Sequence, residues 1–124
     1  VGDLNCDPVD GEGLRSTMPQ LLENLRVSSA FVPTSEGGPL TVKQFPDQFA
    51  KYRGDPSRVT SNFTEEGHGC LRIDYVLPSK GLEVVRGGVF WPKPGDPGAA
   101  AITATDHRSV WLDLRRSPPG EPRP

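Results

Sequence analysis

The sequence has no run that approaches the roughly 20 consecutive apolar residues needed by a membrane-spanning helix. It is also poor in apolar residues, which make up 34% of its 124 positions, whereas glycine and proline number 14 each. A large share of the chain must therefore be turn and loop, and a core built from these residues alone is expected to be marginal. No internal repeat is visible.

The sequence also lacks an excess of positive charge. Its 14 Lys and Arg residues stand against 16 Asp and Glu, which gives a formal net charge of -2. The arginines are dispersed along the chain. This composition excludes a global basic field of the kind that holds nucleic acid nonspecifically. Binding of a polyanion through a basic surface outside these residues stays open.

The first half of the sequence predicts few regular elements. Alternation places Val1, Asp3 and Asn5 on one face of a short strand. The capping-box spacing of Thr17 and Gln20 predicts a helix start, and a stripe formed by Met18, Leu21, Leu22 and Leu25 predicts that the helix faces the core. Residues 33–56 are predicted to be loop with one short helix.

The second half is predicted to be rich in β-structure. Strands are expected over residues 58–63, 71–77, 82–91 and 108–114, with the third of these pairing with the second as a hairpin. We expect one domain part over residues 1–116 and a proline-rich tail, disordered or a linker, over residues 117–124.

Three polar clusters carry the chemistry. Asp3 and Asn5 end the first predicted strand, Asp74 lies within a strand between Ile73 and Tyr75, and Asp106 precedes His107. Asp3 and Asn5 alone could be turn or capping residues, and an Asp-His pair is common on surfaces. A charge in the middle of a strand, however, must find a partner if it is buried.

Together and in this order, the clusters Gly2 to Asn5, Arg72 to Tyr75 and Asp106-His107 resemble the signature of the endonuclease/exonuclease/phosphatase superfamily, the deoxyribonuclease-I-like phosphoesterases. The resemblance implies a four-layered α/β sandwich (α+β) with two sheets flanked by helices. It covers the last half of that domain. We therefore expect the chain to be a C-terminal part whose partner is the N-terminal half of the same domain.

The resemblance also implies roles for five residues. Asp3 would orient or deprotonate the attacking water, and Asn5 would hydrogen-bond the scissile phosphate. His107 would contact the phosphate or transfer a proton while Asp74 fixes its orientation. Asp106 and Asp3 would bind the metal together with a glutamate from the N-terminal half. Oxygen ligands of this kind suit Mg²⁺ or Mn²⁺ better than zinc.

Cys6 and Cys70 adjoin two of these clusters. Secreted members of the superfamily can carry a disulfide between the same regions, so a Cys6–Cys70 bridge is the expectation, and two separately buried thiols are the alternative. Further segments resemble exported bacterial members of the superfamily, which implies a secreted or periplasmic protein.

The sequence thus predicts a divalent-metal-dependent hydrolase of phosphate esters, without a membrane span. The substrate could be nucleic acid, a phospholipid head group, an inositol phosphate or another small phosphoester. The alternative function is a noncatalytic binding or interaction module that retains the sandwich fold.

Overall fold

The computed structural model describes residues 1–14 and 16–116, so the proline-rich tail predicted over residues 117–124 lies outside the described residues. Helix and strand are mixed. The regular elements are β1 (Gly2–Asp3), α1 (Thr17–Leu22), α2 (Gly37–Gln44), β2 (Asp74–Tyr75), β3 (Leu82–Val89) and β4 (Val110–Arg116). Two 3-10 helices, Pro56–Arg58 and Ala99–Ala104, lie between them.

The strands form two antiparallel pairs. β1 pairs with β2 so that Asp3 lies opposite Asp74 and Gly2 opposite Tyr75. β3 pairs with β4 along its whole length, from Leu82 opposite Arg116 to Val89 opposite Val110, with an irregularity between Val84 and Arg86. The first pair brings two predicted site residues side by side.

The predicted hairpin between the strands around residues 71–77 and 82–91 is wrong, because β3 has β4 as its partner. The segment that connects the two predicted strands is bonded elsewhere. Ser28 N–H donates to the Pro78 carbonyl, and Lys80 N–H donates to the Arg26 carbonyl. These bonds tie the segment after β2 to the segment after α1. β3 pairs with β4 instead of with β2.

Helix α1 differs from its prediction at both ends. Its N-cap is Ser16 rather than Thr17, and no side chain caps it. The helix ends at Leu22, so Leu25 lies beyond it and is 84% exposed, whereas Met18 is only 2% exposed. The expectation that the whole stripe is core therefore holds for Met18 and is wrong for Leu25 and for Leu21, which is 36% exposed. The short helix predicted within residues 33–56 is present as α2.

The core is built largely from the middle of the chain. Phe49, Val59, Cys70, Val89 and Trp91 form one buried cluster. The strands predicted over residues 58–63 and 71–77 are mostly irregular there. The N–H groups of both Thr60 and Ser61 donate to the single carbonyl of Leu71, a pairing that a regular ladder does not make.

Candidate active site

The candidate site begins with two carboxylates that the β1–β2 register brings together. Asp3 and Asp74 are direct partners across the two strands. Side chains of directly opposite residues in an antiparallel pair lie on the same face of the sheet. Asp3 is exposed, while the side chain of Asp74 is only 17% exposed. Two negative groups this close favour a cation or a proton donor beside them.

His107 supplies that donor for Asp74. Its Nδ1 lies 3.2 Å from Oδ1 and 3.1 Å from Oδ2 of the Asp74 carboxylate. An ionised carboxylate only accepts hydrogen bonds, so Nδ1 carries a proton in this contact. In the neutral imidazole, Nε2 is then the unprotonated nitrogen. The contact between His107 and Asp74 that was expected from the sequence is present.

The imidazole is held from several sides. His107 and Ser61 form an isolated antiparallel bridge, and the ring of Phe63 meets the imidazole edge to face with 5.8 Å between centroids. The His107 N–H donates to Thr105 Oγ1 at 3.1 Å. With its ring also bonded to Asp74, His107 has little freedom to rotate.

Thr60 connects the strand of Asp74 with the segment of His107. Its side chain is buried, and its Oγ1 accepts hydrogen bonds from the N–H groups of both Ile73 and Asp74, each at 3.0 Å. Its carbonyl accepts a bond from Arg108 N–H at 2.7 Å. Sequence reasoning missed Thr60, because nothing in the spacing of a lone threonine reveals which backbone groups it will meet.

Asp106 lies on the other side of the imidazole. Its Oδ1 is 4.0 Å from His107 Nε2 and accepts a bond from Thr105 Oγ1 at 3.3 Å. The group of possible metal ligands among the described residues consists of Asp3, Asp74 and His107, whose ligand atoms lie within 4.8 Å of one another. The geometry therefore groups Asp3 with Asp74 and His107, and the predicted role of Asp106 as a metal ligand stays a prediction.

Asn5 does not continue the first strand. β1 ends at Asp3, and Asn5 has a φ of 48°, so the predicted alternation through Asn5 is wrong. Asparagine tolerates this left-handed conformation better than most residues. The Asn5 N–H donates to Asp3 Oδ1 at 2.7 Å. The turn thereby fixes the carboxylate of Asp3, while the Asn5 side chain is exposed at the edge of the site.

Asp3, Asp74, His107 and Arg108 belong to the walls of an open cleft of about 260 Å³. Arg108 is buried, its Nη1 donates to the carbonyls of Thr105 and His107, and its guanidinium lies 4.5 Å from the centroid of the Trp91 ring. Burial lowers the pKa of Arg108. A cation held beside His107 gives the cleft a positive element next to its carboxylates.

The predicted Cys6–Cys70 disulfide is wrong for this structure, in which both cysteines are free thiols. Cys70 is fully buried in the core cluster, and its Sγ lies 3.6 Å from Asn62 Oδ1. Cys6 is partly buried in the loop after β1, where its Sγ lies 3.9 Å from the Asp7 carbonyl. Although the two cysteines adjoin paired strands, Cys70 has its sulfur in the core and Cys6 lies outside it.

A family model described as the Endonuclease/Exonuclease/phosphatase family matches residues 1–107. The chain belongs to this family. The matched range contains all three polar clusters and ends at His107, the residue that the structure places beside Asp74. Neither a curated protein nor a solved structure matches the chain. Membership in this family indicates hydrolysis of phosphate esters as the general type of activity.

In the part of the chain that the structure describes, no helix has the length and apolar character needed to cross a membrane.

Proposed function

We propose that this chain carries part of the active site of a divalent-metal-dependent hydrolase of phosphate esters. The observation that supports the proposal best is the contact between His107 Nδ1 and the Asp74 carboxylate, with Asp3 beside them at one cleft. A carboxylate–imidazole pair next to a second, exposed carboxylate supplies both an oriented proton carrier and a group that can position water.

In the proposed reaction, Asp74 holds the proton on His107 Nδ1 and stabilises the imidazole when it becomes positively charged. His107 Nε2 faces the phosphoryl group and, in the protonated ring, gives its proton to the leaving oxygen as the bond between that oxygen and phosphorus breaks. Asp3 accepts a hydrogen bond from the attacking water and draws off its proton. The amide of Asn5, at the turn after Asp3, donates to a phosphoryl oxygen as the substrate binds.

The side chains at the cleft include donors that suit a divalent cation. Asp3 offers an exposed carboxylate, and the ligand atoms of Asp3, Asp74 and His107 already lie within 4.8 Å of one another. Carboxylate oxygens suit Mg²⁺ or Mn²⁺, so the residues present fit such an ion. Asp3 is the proposed ligand because the carboxylate of Asp74 is already bonded to His107. Asp106 is the proposed further ligand. A bound divalent ion would neutralise charge on the phosphoryl oxygens.

We propose a larger fold around the described strands. The two antiparallel pairs β1–β2 and β3–β4 are proposed to belong to a four-layered sandwich of deoxyribonuclease-I type, completed by an N-terminal half that supplies a glutamate to the metal. The resemblance to exported bacterial members supports a secreted or periplasmic location. Cell fractionation with an antibody against the chain would test that location.

Hydrolysis of bis(p-nitrophenyl) phosphate and p-nitrophenyl phosphate tests the function, using protein that contains both halves of the domain. We expect turnover that needs Mg²⁺ or Mn²⁺, is abolished by EDTA and falls by about 10³-fold or more in His107→Ala. His68→Ala is the matched control, because His68 is exposed in a polar loop. Equal loss in both variants, or none in His107→Ala, would contradict the proposal and favour a noncatalytic module.

A further inference from the structure

A second cavity, separate from the cleft, lies between the loop after β1 and the segment that follows α2. Its volume is about 180 Å³, and its lining shares no residue with the cleft. Three apolar side chains of the core region, Val42, Phe49 and Val59, form part of its wall together with Tyr52. Tyr52 meets Phe49 edge to face, with 4.6 Å between ring centroids. The cavity therefore offers an apolar and aromatic wall to a small molecule.

Arg72 is the unusual residue of this cavity. It is partly buried, and its guanidinium lies 4.7 Å from the centroid of the Tyr75 ring. Among the described residues, no group forms a hydrogen bond or an ion pair with this guanidinium. Burial, and to a smaller degree the nearby positive charge of Arg58, lower the pKa of Arg72. A partly buried guanidinium that no acceptor group of the described residues reaches is well placed to pair with an anion.

The carboxylates that line the same cavity are already engaged by backbone groups. Asp10 accepts hydrogen bonds from the N–H groups of Arg53 and Gly54. Asp7 Oδ2 accepts one from the Arg72 N–H at 2.7 Å, and its charge raises the pKa of Arg72, but it forms no hydrogen bond with the guanidinium. The third carboxylate, Asp55, pairs with Arg58 at 3.2 Å. These acids shape the loops and do not supply the missing partner.

We propose that this cavity binds a small organic carboxylate, with the carboxylate group on Arg72 and an apolar body against Tyr52 and Phe49. A planar guanidinium pairs with a carboxylate through two parallel hydrogen bonds. A single negative charge fits better than two, because three carboxylates and only two guanidinium groups line the cavity. A phosphate dianion would be repelled more strongly by Asp7 and Asp10. The inference does not depend on the proposed hydrolase activity.

Titration of the full chain with benzoate, followed by amide chemical shifts and by calorimetry, tests the inference. Two ligands are compared with benzoate. Benzyl alcohol has the same ring without a charge, and phenyl phosphate has the same ring with two negative charges. Benzoate should bind saturably, shift amides around Arg72 and Tyr52, and bind about tenfold more tightly than benzyl alcohol. Its affinity should be unchanged in His107→Ala, which separates this cavity from the cleft.

Variants then assign the contact. Arg72→Met keeps an aliphatic side chain and should weaken benzoate binding by about tenfold or more, and Arg58→Gln by only about threefold. Arg26→Met, at an exposed arginine outside the cavity, is the control and should bind normally. Arg72→Lys keeps the positive charge but cannot form the two parallel hydrogen bonds, so its affinity for benzoate should be intermediate. This variant replaces Arg72→Met in the test if Arg72→Met fails to fold. Full affinity in Arg72→Met or Arg72→Lys, equal binding of benzyl alcohol, or tighter binding of phenyl phosphate would overturn the proposal.

Discussion

The buried Thr60 hydroxyl accepts a hydrogen bond from the Asp74 backbone at 3.0 Å, and the Thr60 carbonyl accepts one from the residue after His107. One residue thus sets the spacing between the carboxylate and the imidazole of the candidate site. The contact is made through backbone groups, so it positions Asp74 without touching a substrate. Thr60 is therefore a positioning residue in the proposed mechanism.

Replacing Thr60 with Val should show this role. The two N–H groups at Ile73 and Asp74 would lose their acceptor in a buried place, which costs about 1–3 kcal/mol of unfolding free energy. We expect kcat to fall by about tenfold with KM nearly unchanged, because the proton carrier is misplaced while binding persists. Thr60→Ser keeps the hydroxyl and should restore kcat. The measurements are steady-state kinetics, the pH profile of kcat and urea unfolding. If Thr60→Ser were as slow as Thr60→Val, the hydroxyl would have no such role.

Asp74→Asn should impair turnover without unfolding the protein. An amide can donate to Nδ1, which would leave the proton on the wrong ring nitrogen and deprive His107 of its oriented Nε2. We expect kcat to fall by roughly 10²–10⁴-fold, less than or similar to the loss in His107→Ala. Asp47→Asn, at an exposed aspartate, is the control for a changed surface charge. Normal turnover in Asp74→Asn would refute the proposed orientation of His107.

The two cysteines differ in what surrounds them, and thiol labelling should separate them. Burial raises the pKa of Cys70 to about 12, so almost none of it is thiolate at pH 8. We expect a disulfide reagent such as Ellman's reagent to label Cys6 in the folded protein and to reach Cys70 only after unfolding. Cys6→Ser should then give no fast labelling. A denatured, unreduced protein that shows no free thiol would instead reveal a bridge.

The raised pKa of Cys70 also sets a direction for stability at alkaline pH. The unfolded chain releases the thiol proton near its ordinary value of 9.0, whereas the folded chain holds it up to about 12. The unfolded state therefore binds fewer protons above pH 9, and the free energy of unfolding should fall from there toward pH 12. Burial also raises the pKa of Tyr75, so its ionisation should lower the free energy of unfolding at alkaline pH as well. Urea unfolding at pH 8 to 11 would measure the fall, and Cys70→Ala should reduce it. A flat profile in both proteins would contradict this.

Part of the site could be predicted from the sequence, because the types of the residues and their order along the chain are enough to identify it. Asp74 lies within a strand between two apolar residues, and a charge there needs a partner, which the structure shows to be His107. The resemblance placed Asp3 and Asp74 at one site, and the β1–β2 pairing sets them opposite each other. What the sequence could not predict depends on backbone bonds between distant segments. The partner of β3 was missed because residues 78–80 bond to residues 26–28, and Thr60 was missed for the same reason.

The charge distribution of the chain bears on the size of its substrate. The formal net charge of the chain is -2, and the arginines that the structure describes are spread over the elements instead of forming a track for a phosphate backbone. Several are already engaged: Arg58 pairs with Asp55, Arg115 with Glu83, and Arg108 is buried against Trp91. Duplex DNA is held by neutralising a series of phosphates, and the affinity then falls steeply with salt.

We therefore expect protein that contains this chain to prefer a compact phosphoester to plasmid DNA. Rates of hydrolysis with Mg²⁺ should be compared on plasmid DNA, a phospholipid and inositol phosphates across about 50 to 300 mM NaCl. Over this range, DNA binding through about six phosphate contacts would weaken by about 10³-fold or more. Turnover of the compact substrates should change little over this range, because only one or two charges are neutralised at the cleft. Efficient nicking of DNA with a steep loss at high salt would show that a basic surface outside this chain dominates recognition, and would refute the preference.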